Sequence, residues 1–163
     1  MGIVRPHLWF DDNALEAAQF YVSIFPNSSI TDVLHAPADM PGVTKGDPFV
    51  VHFVLDGQPV EALSAGPSLK LNAAFSMVVD CDTQEEVDRY WSALLEGGGQ
   101  EVQCGWLTDR FGLSWQVVPR QLLEWTLSPD ADPEGAARAT AEMLTQVKLD
   151  IAALEAAYRG EST

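Results

Sequence analysis

The chain has 163 residues, 47% of them hydrophobic and 20% charged, and 9 Lys and Arg stand against 24 Asp and Glu for a net charge of −15. That length suits one domain, or one domain built from two small repeats, with a core large enough to need neither disulfide nor metal. The negative field argues against nucleic acid and anionic membrane surfaces as partners, and the hydrophobic content excludes wholesale disorder.

In chain order, the start Met1-Gly2-Ile3-Val4-Arg5-Pro6 has no basic stretch followed by an apolar core, and Pro6 breaks a myristoylation pattern. No apolar run reaches the ~20 residues of a membrane span, so a cytoplasmic protein is expected. Residues 6–10 read as a short strand. Asp11-Asp12-Asn13 carry N-cap chemistry for a helix over about 14–25, which Pro26-Asn27 stops. Residues 29–34 read as a strand, 35–47 as a loop rich in Pro, Gly and Asp, and 49–55 as a β-prone run. Asp56-Gly57 is a two-residue hairpin turn into a strand over 58–63, and Gly66-Pro67 ends this half.

The second half opens with a strand over 73–80. Asp82-Thr83-Gln84-Glu85-Glu86 starts a helix whose acidic first turn complements the helix dipole; Val87, Trp91 and Leu94 form its buried stripe and Gly97-Gly98-Gly99 its end. Strands follow over 102–107 and 113–118, joined through Asp109-Arg110-Phe111-Gly112, where Asp109 fits a turn-forming role. After a linker over 129–133, Pro133 opens a long last helix running to about Tyr158, with Gly160 as its stop. Leu144, Val147, Ile151, Leu154 and Tyr158 give that helix one packed face, against the domain or against a second subunit. Cys81 and Cys104 show no disulfide framework and are expected as reduced thiols.

The two halves match. Sliding the second back by 70 positions brings Asp82 onto Asp12, Glu86 onto Glu16 and Tyr90-Trp91 onto Phe20-Tyr21, with the strand before each helix in register. Sliding by 55 aligns Gly57 with Gly112, Val60 with Trp115, Glu61 with Gln116 and Leu63 with Val118. One half alone cannot bury its sheet face, so two such units are expected to pair into a larger curved sheet around a shared cleft.

Three segments are specific: Leu8-Trp9-Phe10-Asp11-Asp12-Asn13, Phe20-Tyr21-Val22-Ser23-Ile24-Phe25-Pro26-Asn27-Ser28, and Cys104-Gly105-Trp106-Leu107-Thr108-Asp109-Arg110-Phe111-Gly112-Leu113-Ser114-Trp115-Gln116. With them the chain resembles the PhnB-like (3-demethylubiquinone-9 3-methyltransferase-like) branch of the glyoxalase/bleomycin-resistance/dioxygenase, or vicinal oxygen chelate, superfamily, over roughly residues 5–158. The resemblance implies an α+β fold of tandem βαβββ modules forming a cupped mixed sheet, in a homodimer. The modules fall at about 4–67 and 72–124, followed by the long C-terminal helix at about 133–158. It implies no single reaction, because the fold hosts lyases, dioxygenases, antibiotic-modifying enzymes and plain ligand binders. The methyltransferase label finds little support in these residues: Gly97-Gly98-Gly99 follows a helix and does not open one, as a loop cradling S-adenosylmethionine must.

The resemblance also implies that any metal is held by inward residues from the first and last strands of each module. The internal alignment then names His7, its counterpart Met77, and the hairpin pair Glu61 and Gln116. Alternation puts Trp9 with His7, Phe75 with Met77, Leu63 with Glu61 and Ser114 with Gln116. Met77 is a soft, neutral donor and a poor ligand for a hard or borderline cation. The expected cofactor is therefore none, with His7, Glu61 and Gln116 as fallback ligands for one divalent metal ion. Without metal, His7, Trp9, Glu61, Phe75, Met77, Trp106, Ser114 and Gln116 line an apolar, aromatic cup for a small-molecule ligand.

Each of these has a plainer reading. His7 serves equally as a partly buried histidine at the mouth, Glu61 as a solvated strand-edge carboxylate, and Trp9 and Trp106 as core aromatics. Gln116 suits an orienting hydrogen bond better than ligation. His52 reads as a satisfied core or interface histidine, and Cys104 as packing, since no histidine or helix N-terminus stands beside it to activate a thiol. Two functions follow: a binder of a small, mainly apolar or aromatic ligand, or a divalent-metal-dependent lyase, dioxygenase or transferase using His7, Glu61 and Gln116. A third is an interaction module whose terminal helix builds the homodimer around a vestigial cup.

Overall fold

Apolar side chains at alternate positions of residues 8–10, 51–55 and 60–64 give the first half a sheet with one buried face. In the computed structural model, which describes residues 4–161, β1 (His7–Phe10), β2 (Ser29–His35), β3 (Pro48–Leu55) and β4 (Gln58–Ser64) lie in the order β1-β4-β3-β2. β1 runs parallel to β4; the other neighbours are antiparallel. Met1-Gly2-Ile3, where the sequence shows no leader-like pattern, lie outside the described residues. Among the described residues no helix is long and apolar enough to cross a membrane.

The helix α1 (Ala14–Ile24) covers the buried face with Ala14, Ala17, Ala18 and Tyr21 at helical spacing. Three small alanines permit close approach, and Tyr21 stacks on Phe53 with ring centroids 6.4 Å apart. The cap departs from expectation. Asn13 makes no side-chain cap bond, and the Ala14 N–H donates to Ser64 Oγ at 3.0 Å on β4. The Asp56-Gly57 turn is as expected, with φ of +44° and +80°, the left-handed pair that matches the twist of a two-residue hairpin.

The chain divides into two units, Met1–Asn72 and Ala73–Thr163, and the second repeats the plan of the first. β5 (Ser76–Cys81), β6 (Gln100–Glu101), β7 (Trp106–Thr108) and β8 (Ser114–Pro119) lie in the order β5-β8-β7-β6, again with a parallel outer pair. α2 (Gln84–Leu95) buries Val87, Tyr90, Trp91 and Leu94. Its start is a reciprocal cap: Thr83 Oγ1 accepts from the Glu86 N–H, and Glu86 Oε2 accepts from the Asp82 N–H at 2.7 Å.

Three expectations are corrected in this unit. The strand expected over 102–107 is interrupted, because Cys104 and Gly105 take φ of +61° and +80° and turn the chain between β6 and β7. A helix not expected from the sequence, α3 (Arg120–Leu127), follows β8 directly. The single long helix expected over 133–158 is two, α4 (Pro133–Met143) and α5 (Ile151–Arg159). Asp132 caps the first through the Gly135 N–H at 2.6 Å, and Asp150 caps the second through the Ala153 N–H at 2.9 Å. Between them the chain is drawn toward α2: Gln84 Nε2 donates to the Leu149 carbonyl at 3.1 Å, and Gln84 Oε1 accepts from the Ile151 N–H at 2.9 Å. The uniform packed face dissolves accordingly, with Leu154 fully buried and Leu144 62% exposed. Leu149 and Leu154 join Val118 and Leu122 in one cluster, against which Trp125 and Met143 pack.

Candidate functional site

Strand register places one polar row across the sheet of unit 1. His7 pairs with Glu61, Glu61 with His52 and His52 with Asp32, so all four side chains share a face, the one opposite α1. His7 Nε2 lies 3.3 Å from Glu61 Oε1, and His52 Nε2 lies 3.1 Å from Glu61 Oε2. Arg5 donates to the same Oε2 from Nε at 2.7 Å and from Nη2 at 2.5 Å. The Glu61 side chain is only 14% exposed, so it is no solvated edge carboxylate; it sits within the sheet, held by three cationic or potentially cationic groups. His52 is not a core histidine but a partner in this row. Hairpin counting could have found it, since His52 and Glu61 stand equally far from the Asp56-Gly57 turn. The next row on this face is apolar: Trp9, Leu63, Val50 and Leu34, with Trp9 Nε1 donating to the Gly66 carbonyl at 2.9 Å.

Burial by itself raises the Glu61 pKa, but the Arg5 hydrogen bonds and charge, with His52 and His7 behind them, outweigh it and hold the carboxyl below its ordinary value of 4.5. A depressed carboxylate pKa contributes stability that is complete above the ordinary value and is lost as pH falls through the lowered one. Arg5→Ala is therefore expected to flatten the acid limb of the melting temperature measured from pH 6 to pH 3, while leaving the curve above pH 6 parallel to that of the unsubstituted chain.

The matching row of unit 2 holds different chemistry. Val78 pairs with Gln116 and Gln116 with Trp106, so these three stand where His7, Glu61 and His52 stand in unit 1. The expected counterpart of His7, Met77, is displaced by one position: it pairs with Trp115 on the α2 side of the sheet, and Phe75 stands before the strand, 43% exposed. The reason is local. Three residues separate β1 from α1 and two separate β5 from α2, so the helices align at an offset of 70 and the strands at 71. Ser114 does share the Gln116 face, 3% exposed and paired with Ser76.

Taken unit by unit, these rows offer a metal little. Val78 offers no donor atom, Gln116 is a weak neutral one, and both Glu61 oxygens are already engaged. Among the described residues no group of three His, Cys, Asp or Glu side chains is placed to hold a metal ion.

Over the Val78-Gln116-Trp106 row lies a cavity of about 470 Å³. Its floor is Val78, Gln116, Val118 and Trp106. Leu122, Leu123, Thr126 and Leu127 of α3, Thr140 and Met143 of α4, and Cys104 and Leu149 line the rest of it. Gln116 Nε2 donates to Ser76 Oγ at 3.0 Å. The turn beneath Leu149 is pinned by backbone bonds from Cys104 N–H to the Gln146 carbonyl and Gly105 N–H to the Val147 carbonyl, both 2.8 Å. A Cβ on Gly105 meets the Val117 carbonyl and a Leu149 methyl at 2.9 Å, at a φ that disfavours any L side chain. Gly105→Ala is thus expected to cost about 2 kcal/mol or more, read from urea denaturation.

The two cysteines are free. Burial, with Glu86 and Asp80 nearby, pushes the Cys81 thiol up to about 12, which leaves it unreactive near neutrality. Asp109 is the turn-former expected: Oδ1 accepts from the Phe111 N–H at 2.8 Å and the Leu113 N–H at 3.1 Å, and Oδ2 from Trp115 Nε1 at 2.8 Å.

Two units of strand-helix-three strands, each with a parallel outer pair, define a member of the glyoxalase/bleomycin-resistance superfamily. Within it the chain belongs to the family described as 3-demethylubiquinone-9 3-methyltransferase, the PhnB-like branch, which it matches over residues 3–118. Among solved structures, a PhnB protein from Bacillus cereus with the same description is 28% identical, with a TM-score of 0.65 over 72% of this chain and 99% of that one. A protein from Pseudomonas aeruginosa is 22% identical, with a TM-score of 0.61 over 73% of this chain and 98% of its own. The fosfomycin resistance protein FosX from Listeria monocytogenes, in complex with Mn(II) and sulfate, shares the fold at 18% identity and a TM-score of 0.50, over 76% and 93%. No curated protein matches the chain. The family match ends at Val118, so α3 and α4, which line the cavity, lie beyond it, as does α5.

Proposed function

We propose that this chain binds a small, mainly apolar or aromatic molecule in the cavity of unit 2, without a bound metal. The observation that carries this reading is the cavity itself: about 470 Å³, with aliphatic, aromatic and thioether walls and no Asp, Glu, Lys, Arg or His in its lining. That volume falls in the range of small-molecule sites, roughly 300–1,000 Å³, and apolar walls with a few polar groups are their usual make-up. Of the residues expected from sequence, Trp106 and Gln116 serve here, with Ser114 beside them in the sheet. The test is isothermal titration with naphthalene, on the unsubstituted chain and on Val78→Trp, which fills the floor from a position 54% exposed and so tolerant of bulk. Micromolar binding lost in Val78→Trp is expected. No binding, or binding that Val78→Trp leaves alone, overturns the reading.

The pairing of His7 with Glu61 favours a second reading, a divalent-metal-dependent lyase, dioxygenase or transferase using His7, Glu61 and Gln116. Metal analysis of protein purified without chelator or affinity tag separates the two. Substoichiometric metal accords with the first. A stoichiometric ion lost in His7→Ala replaces it with the second.

A further inference from the structure

Resting on the ligand-binding reading above, we infer that the molecule bound in unit 2 is an uncharged phenol or alcohol whose hydroxyl donates a hydrogen bond to the amide oxygen of Gln116. Three observations lead there. First, a charged ligand has nothing to pair with: the lining carries no ionisable side chain except Cys104, and burying an unpaired charge is far costlier than burying a neutral polar group. The net charge of −15 adds a general repulsion against anions. Second, Gln116 is a half-spent polar group. Its Nε2 donates to Ser76 Oγ at 3.0 Å, which turns the carbonyl of the amide away from Ser76. Among the described residues that oxygen has no protein partner, and Gln116 lines the cavity from the strand between those of Val78 and Trp106. An apolar molecule that displaces water from it leaves an acceptor unmet; a hydroxyl restores the bond. Third, among the described residues Gln116 offers the one side-chain amide carbonyl in the lining: Thr126, whose hydroxyl donates to the Leu122 carbonyl within α3, and Thr140 present hydroxyl oxygens and Cys104 a thiol, a weak acceptor.

The site joins strands inside the family match to a segment outside it. The floor comes from strands inside the family match, while the α3 and α4 walls come from beyond Val118. Ligand class is therefore set by this chain's own C-terminal segment together with Gln116, and not by the positions that pair His7 with Glu61.

The experiment compares four probes of one shape by isothermal titration at pH 7: naphthalene, 2-naphthol, 2-methoxynaphthalene and 2-naphthoate. Expected is an affinity for 2-naphthol about tenfold above that for naphthalene, the order set by one hydrogen bond to an otherwise unmet acceptor. The methoxy compound, which accepts but cannot donate, should bind no better than naphthalene, and 2-naphthoate should bind weakest. Gln116→Leu should bring the naphthol and naphthalene affinities together, with its thermal melt by circular dichroism as the check on folding. Ser76→Ala, a milder change that frees the amide to turn, should shrink the naphthol preference without abolishing it. Equal binding of naphthol, methoxynaphthalene and naphthalene overturns the donor inference and leaves the binding reading standing. A naphthol preference that survives Gln116→Leu overturns it as well, as does tightest binding of the naphthoate. Failure of all four probes overturns the inference together with the reading beneath it.

Discussion

Asp109→Ala is expected to lower the stability of the chain by about 3 kcal/mol, the cost of orphaning several buried donors at once. Asp109 is 4% exposed, and its two oxygens accept from the Phe111 and Leu113 N–H groups and from Trp115 Nε1. Alanine leaves all three donors facing a space that water reaches poorly. For a chain of this length the melting temperature should fall by roughly 6–12 °C. Asp109→Asn keeps one acceptor oxygen but turns an amide N–H toward one of the donors, so about half the loss is expected. Thermal and urea unfolding check both, and a loss below about 1 kcal/mol for alanine shows that water replaces the carboxylate at little cost. The consequence reaches the cavity, because Trp115 lies on the strand that carries Gln116.

Leu154→Ala should cost about 3 kcal/mol, within the range for a fully buried leucine that leaves a void. Leu144→Ala should change stability by no more than about 0.5 kcal/mol, because that side chain is 62% exposed. A continuous helix over 133–158 puts both leucines on one packed face and predicts comparable losses. The contrast between them, measured by urea denaturation, therefore tests the break between α4 and α5 directly. It also tests whether the segment beyond the family match belongs to the core of unit 2, since Leu154 packs with Val118 of β8.

Much of the fold was legible from local chemistry. Asp56-Gly57 announced its hairpin because few other pairs accept two left-handed residues in succession, and Pro133 and Gly160 marked helix ends because one lacks an N–H and the other a Cβ. The duplication was legible because equivalent cores demand equivalent side chains, as Tyr21 and Trp91 do under their helices. The helix break was not legible from periodicity. Leu144, Val147, Ile151, Leu154 and Tyr158 keep a helical spacing through it, and what holds the chain at the start of α5 is a pair of hydrogen bonds from Gln84, more than sixty residues away. α3 was missed for lack of a side-chain cap signal at its start, where Pro119 makes no cap bond.

At the site the same division holds. The sequence alone placed His7 on the first strand and Glu61 on the last strand of one repeat, with Gln116 answering to Glu61 in the other, since residue type and turn spacing carry that information. It misnamed Val78 as Met77, because a connector shortened by one residue reverses the face of every side chain on a strand, and no helical landmark reports it. Only the tertiary structure decided that Arg5 and His52 close around Glu61 and that α3 and α4 fold back over Gln116. Those outcomes depend on which apolar surface is left uncovered once both sheets have formed, and that is a property of packing between distant segments. No window of sequence contains it.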